Sequence, residues 1–112
     1  MNKTLDQQQC VPCTVGTLPL TNQEEDELLV KLREWKLDRD DVHQLHKTFV
    51  FEDFNAALHF INGVGELAEK EQHHPDLNLH SYKKVTVTLF THKIKGLSYN
   101  DYIMAAKVDR FV

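Results

Sequence analysis

At 112 residues the chain has the length of one small domain, and its apolar and charged fractions, 41% and 27%, are those of an ordinary globular protein. Its 17 acidic residues outnumber 13 basic ones to give a net charge of -4, and it lacks the basic stripe with which duplex-binding proteins neutralise phosphates. Because no apolar run reaches about 18 residues and Met1 to Gln9 lack a signal's apolar core, we expect a cytoplasmic protein that binds neither membranes nor nucleic acid.

The first predicted unit is an N-terminal tail over residues 1–20, in which two prolines and a glycine interrupt regular structure. It carries Cys10 and Cys13 in a C-x-x-C spacing, which supplies only half of a four-cysteine zinc site. Reduced thiols in an ordered or frayed tail are the favoured interpretation. Metal binding together with a histidine, or pairing between subunits, are the alternatives. Residues 21–112 form the predicted domain.

The first helix is predicted at a capping box, in which the side chains of Thr21 and Glu24 each bond the other residue's backbone N–H. The apolar stripe of this helix is formed by Leu28, Leu32 and Trp35. The polar residues Asp38 to Asp41 predict a turn between two strands. The second of these strands, Leu45 to Phe51, alternates along its length and is rich in β-branched and aromatic residues.

A second helix is predicted after Asp53, a suitable N-cap residue. Its apolar stripe consists of Phe54, Ala57, Leu58, Ile61, Gly65 and Ala68, widened by Phe60, Val64 and Leu67. Gly63 and Gly65 each cost about 1 kcal/mol relative to alanine inside a helix, so we expect close packing on the sheet or on a neighbouring subunit. Pro75 disfavours helical geometry in the residue before it and predicts the end of the helix.

Two more strands and a last helix complete the predicted fold. Asn78 to Lys83 and Lys84 to Thr91 are the third and fourth strands, and a second capping box, Ser98 to Asp101, opens the helix. The order α-β-β-α-β-β-α predicts a two-layer α+β fold, with a four-stranded antiparallel sheet covered by helices on one face. Ile103 and Met104 face away from the helix side that carries Tyr102, and this mixed exposure predicts packing on both the domain and a partner chain.

Three histidines form the clearest candidate site. His73 and His74 precede Pro75, and His92 follows Thr91 at the far end of the fourth strand, so pairing of the third and fourth strands brings the imidazoles together. Adjacent residues in extended structure point to opposite faces, which makes His73 and His74 unsuited to bind one metal as a pair. Because histidine titrates near neutral pH, the cluster favours acid–base chemistry. The histidines interpreted as surface residues or satisfied core groups are His43, His46, His59 and His80.

Several motifs in this region resemble those of the pterin-4a-carbinolamine dehydratases. They are F-E-D-F-N-A-A-L from Phe51, A-E-K-E-Q-H-H-P from Ala68, K-V-T-V-T-L-F-T-H from Lys84 and G-L-S-Y-N-D from Gly96. The resemblance covers about Phe51 to Asp109, with weaker similarity back to Thr21. The double histidine, the T-H and the G-L-S at these relative spacings form a specific signature, whereas H-H-P alone would be weak.

The resemblance implies a hydro-lyase that converts 4a-hydroxytetrahydropterin to quinonoid dihydropterin and water. Such an enzyme supports tetrahydrobiopterin recycling for aromatic amino-acid hydroxylases, with a functional link to phenylalanine hydroxylase. The reaction delivers a proton to the departing hydroxyl and removes one from N5, so it requires no metal and no redox cofactor. By resemblance, His73 and His92 form the main acid–base pair and His74 binds and orients the pterin. The residues expected to shape the pocket, or to bond the pterin ring through main-chain groups, are Pro75, Thr91 and Lys93.

Two carboxylates in these motifs have two interpretations each. Glu69, one helical turn before the histidine pair, either orients an imidazole or is a solvated charge at a helix end. Asp101 matches the family motif, yet capping of the last helix explains it without catalysis, and capping is favoured.

Two other functional classes stay open. The resemblance also implies a protein-binding adaptor or transcriptional coactivator on the same scaffold, and a histidine-based metalloprotein is the third class. An exposed sheet edge and the dimers or tetramers usual in the family predict a homodimer or homotetramer.

Overall fold

The computed structural model describes residues 3–11 and 17–112, so Cys13 of the C-x-x-C pair lies outside the described residues. Within them, the α-helices and strands follow the predicted order α-β-β-α-β-β-α. Their bounds are α1 Asn22–Leu29, β1 Lys36–Asp38, β2 Gln44–Val50, α2 Phe54–Glu71, β3 Asp76–His80, β4 Lys84–Leu89 and α3 Tyr99–Asp109. Two short 3-10 helices, Leu5–Gln7 and His92–Ile94, lie in the N-terminal segment and after β4.

The four strands form one antiparallel sheet in the order β1-β2-β4-β3. On one face, Leu45 of β2 and Val85, Val87 and Leu89 of β4 are fully buried beneath the helices. On the other face the hydroxyls of Thr48 and Thr86 bond each other at 2.8 Å. This alternation confirms the two-layer α+β fold, in which helices cover one face of the sheet.

The buried stripe of α2 differs from the predicted one. Asp53 caps the helix as expected, since its carboxylate accepts the N–H of Ala56 at 2.8 Å. The core residues are Ala57, Phe60, Val64 and Ala68. By contrast, Phe54 and Leu58 are 47% and 38% exposed. Apolar residues occupy more than half of the helix circumference, so the periodicity fits two overlapping stripes and only packing on the sheet selects one.

The two glycines of α2 have different surroundings. A Cβ atom at Gly63 would lie 3.0 Å from the ring of Phe111, so the close neighbour is the C-terminal end of the same chain. The close neighbour of Gly63 is therefore not the predicted sheet, and packing on another subunit stays a prediction. At Gly65 a Cβ atom would meet nothing within 4 Å.

The last helix is buried within its own chain. Residues 100–105 of α3 and Val108 are all buried. The 3-10 helix Leu5–Gln7 packs on α3, with Leu5 in the core, and the hydroxyl of Tyr102 donates to the backbone oxygen of Glu25 in α1 at 3.0 Å. The expectation that Ile103 and Met104 need a partner chain is wrong, because both are already buried within this chain, at 4% and 0% exposure.

Three element boundaries also differ from the predicted ones. The first helix ends at Leu29, and Glu34 adopts a left-handed conformation that directs Trp35 into the core from the following turn. The third strand spans Asp76–His80 rather than Asn78 to Lys83, because Ser81 and Tyr82 both have positive φ and turn the chain into β4. The fourth strand ends at Leu89, two residues before the predicted end.

Candidate active site

The histidine pair is positioned by the end of α2. Gln72 caps the helix in a left-handed conformation, and its N–H and that of His73 both bond the carbonyl of Ala68. The chain therefore leaves the helix at Gln72, three residues before Pro75, and the left-handed cap at Gln72, rather than the proline, ends it. This sharp turn sends His73 and His74 toward different carboxylates.

His73 contacts a buried carboxylate on α3. Its Nε2 lies 2.6 Å from Oδ1 of Asp101, with side-chain exposures of 11% and 0%. An ionised carboxylate can only accept hydrogen bonds, so Nε2 is the protonated nitrogen of His73 whenever Asp101 is ionised. Among the described residues, none bonds Nδ1 of His73. The second nitrogen is therefore available to a ligand.

Asp101 serves two purposes at once. Its Oδ2 accepts the N–H of Ser98 at 2.9 Å and the hydroxyl of Thr91 at 2.8 Å, while Oδ1 faces His73. The expected capping box is present, because Ser98 and Asp101 bond each other's backbone N–H. The preference for capping alone was incomplete, since the other carboxylate oxygen orients the imidazole.

His74 forms the outer of the two histidine–carboxylate pairs. Its Nε2 lies 2.5 Å from Oε2 of Glu69, and the side chains are 56% and 74% exposed. Solvent screening makes such an exposed pair worth little to stability. The contact fits the orienting interpretation of Glu69, without burial that would hold the imidazole rigidly.

His92 reaches the same region from the end of β4. A short loop closes where Thr91 and Gly96 bond through their backbones, with 2.8 Å from the Thr91 N–H to the Gly96 carbonyl. His92 opens the 3-10 helix inside this loop, and its ring lies against Phe90 with 4.2 Å between centroids. His92 is exposed, and its ring nitrogens bond none of the described residues.

A cleft of about 610 Å³ joins these groups. It contains six of the seven predicted site residues, namely His73, His74, Pro75, Thr91, His92 and Lys93. Glu69 is outside the lining and acts on it only through His74. The predicted neighbourhood of the three imidazoles is therefore present, because β3 and β4 pair as expected.

The main chain of Thr91 is already engaged inside the loop. Its N–H donates to Gly96, and its carbonyl accepts from Ile94 and Gly96. Thr91 thus shapes the cleft by fastening Asp101 with its hydroxyl rather than by offering free backbone groups. A main-chain contact from Lys93 to a ligand stays a prediction.

Cleft residues that the sequence reasoning missed include Glu71, Phe90 and Asn100. Asn100 stands next to Asp101 in the G-L-S-Y-N-D motif, and Phe90 precedes the T-H pair. Their positions within or beside these motifs were therefore a signal that both residues lie in the site. Glu71 lay in a charged run with no signal of burial, yet its side chain is only 5% exposed.

The N-terminal segment also borders the cleft, through Cys10 and Val11. Burial, followed by the nearby Glu71 carboxylate, raises the pKa of the Cys10 thiol to about 12. The thiol is therefore neutral at pH 7 and is no nucleophile there. Cys13, the other half of the C-x-x-C pair, lies outside the described residues.

The remaining histidines lie away from the cleft. His43 bonds the buried carboxylate of Glu25 at 2.8 Å, and His80 bonds the hydroxyl of Thr86 at 2.9 Å. In residues 3–11 and 17–112, no three His, Cys, Asp or Glu side chains are placed to hold a metal ion. In the same residues no helix has the length and apolarity to cross a bilayer.

A larger surface cleft, of about 1090 Å³, lies between the N-terminal segment, the turn after α1 and the end of α3. It contains none of the predicted site residues and no histidine. Its most buried ion pair joins Lys47 and Asp109 at 2.8 Å. The other carboxylate oxygen of Asp109 accepts a hydrogen bond from the Trp35 indole N–H. The cleft of about 610 Å³, which has the three histidines, is therefore the candidate site.

Comparison with known proteins agrees with this geometry. Residues 18–111 match the family described as Pterin 4 alpha carbinolamine dehydratase. A putative pterin-4-alpha-carbinolamine dehydratase of Alkaliphilus metalliredigens is 49% identical over 107 residues, which cover 95% of this chain and 94% of that protein. A protein of the same description from Vibrio vulnificus is 45% identical over 96% of this chain and 98% of its own length.

Two solved structures have the same fold. A transcriptional coactivator/pterin dehydratase from Brucella melitensis is 33% identical, with a TM-score of 0.77 over 83% of this chain and 97% of that one. A pterin dehydratase-like RuBisCO assembly factor of the alpha-carboxysome is 22% identical, with a TM-score of 0.60 over 70% of this chain and 89% of its own, a likeness of fold alone. The family match, the identities and the fold agree, and the chain belongs to the pterin-4-alpha-carbinolamine dehydratase family.

Proposed function

We propose that the chain is a hydro-lyase that dehydrates 4a-hydroxytetrahydropterin to quinonoid dihydropterin. The observation that carries the proposal is the convergence of His73, His74 and His92 on one cleft, with His73 held by the buried carboxylate of Asp101. Acid–base reactions need groups that titrate near neutral pH within reach of one ligand, and histidines meet this need. Membership of the family supports the choice of a pterin.

The reaction is balanced by two proton transfers. The C4a–O bond breaks, and the departing hydroxyl takes up a proton and leaves as water. The N5–H proton is removed, its electron pair forms the C4a–N5 double bond, and no electrons are gained or lost. The ring nitrogen thus supplies the electronic push, and the chemistry asks only for a proton donor and a proton acceptor.

His73 and His92 are proposed as this acid–base pair, and His74 as the residue that binds and orients the pterin. Among the described side chains, no partner occupies Nδ1 of His73 or either ring nitrogen of His92, which supports their use in proton transfer. The Asp101 carboxylate fixes the tautomer and the orientation of His73. Pro75, Thr91 and Lys93 are proposed to shape the pterin pocket.

The test measures the dehydration rate of freshly generated 4a-hydroxytetrahydropterin. We expect the wild type to accelerate the reaction, and His73→Ala and His92→Ala each to reduce kcat about 10²-fold or more. His80→Ala is the matched control, because His80 bonds Thr86 on the uncovered sheet face. A folded wild type without acceleration, or a His80→Ala loss as large as the others, contradicts the proposal.

The wider setting is also proposed rather than established. Tetrahydrobiopterin recycling beside phenylalanine hydroxylase and a cytoplasmic location follow from the resemblance and the sequence, and both stay predictions. The alternative of a protein-binding adaptor draws support from the double description of the Brucella melitensis relative. An adaptor would capture a partner equally well as wild type and as the His73→Ala, His92→Ala double variant.

A further inference from the structure

The N-terminal segment reaches the histidine cleft from far away in sequence. Cys10 and Val11 contact residues 61 and 89 positions further along the chain. We propose that these two residues are a substrate-binding wall of the pterin cleft, and that Asn100 is the positioning residue that holds the wall in place. This inference rests on the proposed function and adds to it a determinant of pterin affinity.

The wall is fastened by hydrogen bonds in both directions. The Val11 N–H donates to Oδ1 of Asn100 at 2.9 Å, and Nδ2 of Asn100 donates back to the Val11 carbonyl at 2.6 Å. One residue earlier, the Cys10 N–H donates to Oε1 of Glu71 at 2.8 Å. A single amide side chain therefore serves Val11 as a neighbouring β-strand would, with one donor and one acceptor.

The side chains that bind the wall are buried, so they need the hydrogen bonds that Cys10 and Val11 make with them. Asn100 is 5% exposed, and so is the side chain of Glu71, which also lies 3.7 Å from the ammonium group of Lys107. A buried polar group without a partner costs free energy comparable to the loss of a hydrogen bond. The backbone of Cys10 and Val11 supplies those partners, so these residues are an integral part of the cleft.

The chemistry of the wall indicates what it contributes. Its backbone N–H groups bond Glu71 and Asn100, and the neutral Cys10 thiol donates to the Asn100 carbonyl at 3.7 Å, so the wall offers neither a thiolate base nor a free main-chain donor. The Val11 side chain is 66% exposed at the cleft, where a flat pterin ring can cover apolar surface. The wall therefore acts on binding by shape and apolar contact, and the histidines carry the proton transfers.

Asn100 stands beside Asp101 in the first turn of α3, which connects the wall to the catalytic groups. Asp101 orients His73, and Asn100 orients Val11. One helical turn thus positions both the chemistry and the wall of the cleft. Effects of Asn100 on the wall can be separated from effects on His73, because a change in the wall alters KM and a change in His73 alters kcat.

The test compares full-length wild type with Asn100→Ala, which removes both bonds to Val11. We expect KM for 4a-hydroxytetrahydropterin to rise about tenfold, with kcat within about twofold and an unchanged pH profile. The backbone N–H of Cys10, followed by amide hydrogen exchange, should exchange faster in the variant. Gln9→Ala is the control, since Gln9 is exposed and lies outside the cleft lining.

A second variant covers the case in which Asn100→Ala fails to fold. Val11→Pro removes the N–H that donates to Asn100 and leaves α3 intact, and the same rise in KM is expected. Faster exchange at Cys10 with KM within about twofold of wild type would overturn the inference. So would a fall in kcat with a shifted pH profile at constant KM, because Asn100 would then act through Asp101 and His73. Both outcomes leave the proposed function standing, whereas a wild type without dehydratase activity removes the proposed function and this inference together.

Discussion

The buried carboxylate of Asp101 has the greatest number of roles of any residue in the site. Its two oxygens accept from Ser98 and Thr91 and contact His73, and it lies in the first turn of α3. A negative charge is favourable at a helix N-terminus, and the same carboxylate orients the imidazole through its contact with Nε2. Structural and positioning roles therefore reside in one group without conflict.

Replacement of Asp101 by asparagine separates these roles. Asp101→Asn keeps an oxygen that can accept from Ser98 and Thr91, but it offers His73 a neutral amide. We expect kcat to fall about 10- to 100-fold, because the amide no longer fixes the tautomer and orientation of the imidazole as the carboxylate does. Steady-state dehydration rates of the variant and the wild type measure the effect.

Asp53→Asn is the matched control for this substitution. Asp53 is also a capping aspartate, at the start of α2, but it lies outside the cleft. Equal losses of activity in the two variants would show that capping alone explains Asp101, and the positioning role would be withdrawn.

At the scale of single residues, the sequence predicted which groups converge but not how each is held. Spacing and resemblance predicted His73, His74 and His92 together, and the cleft contains all three. The contact of His73 with Asp101 joins residues 28 positions apart, and that of Val11 with Asn100 joins residues 89 apart. Such contacts depend on the packing of α3, which local patterns do not encode.

The helix α2 carries two apolar stripes that meet different neighbours. One faces the sheet through Phe60 and Val64, whereas Phe54 and Leu58 on the other are exposed. A period of 3.6 residues fits both stripes, so periodicity predicted the helix and included its four core residues, but it also placed the exposed Phe54 and Leu58 on the buried face. The end of the first helix and the bounds of the third strand were missed because positive φ at Glu34, Ser81 and Tyr82 occurs in turns without glycine.

The glycines of α2 give a paired stability prediction. Gly65→Ala should raise the free energy of unfolding by about 1 kcal/mol, because alanine favours the helix and its Cβ meets nothing within 4 Å. Gly63→Ala should give a smaller gain or none, since its Cβ would lie 3.0 Å from the Phe111 ring, which has to move. Urea denaturation of both variants measures the difference. If Gly65→Ala destabilises the protein, a second chain packs against that position.

For the whole molecule, the exposed stripe of α2 predicts self-association. Phe54 and Leu58 lie one helical turn apart and are 47% and 38% exposed, which favours burial against another copy. We expect sedimentation equilibrium to give a dimer or tetramer of the 13.1 kDa chain. Leu58→Glu should raise the dissociation constant at least about tenfold, because a charge replaces buried apolar surface.

Val30→Glu serves as the control for that variant. Val30 is 82% exposed at the end of α1, away from the stripe, and the same change of chemistry there should leave the mass unchanged. A wild type that sediments as a single chain at micromolar concentration would show that the stripe has no second copy as its partner.

The use of Asp101 both as a helix cap and as the partner of His73 ties catalysis to folding thermodynamics. When the first turn of α3 unwinds, Asp101 leaves its position, so the folding equilibrium of this turn also decides whether the imidazole of His73 is oriented. A ligand that binds only the oriented imidazole shifts this equilibrium by mass action and draws α3 toward its native state. We therefore expect the specific activity of a preparation of this protein to follow the fraction of molecules in which the first turn of α3 is folded.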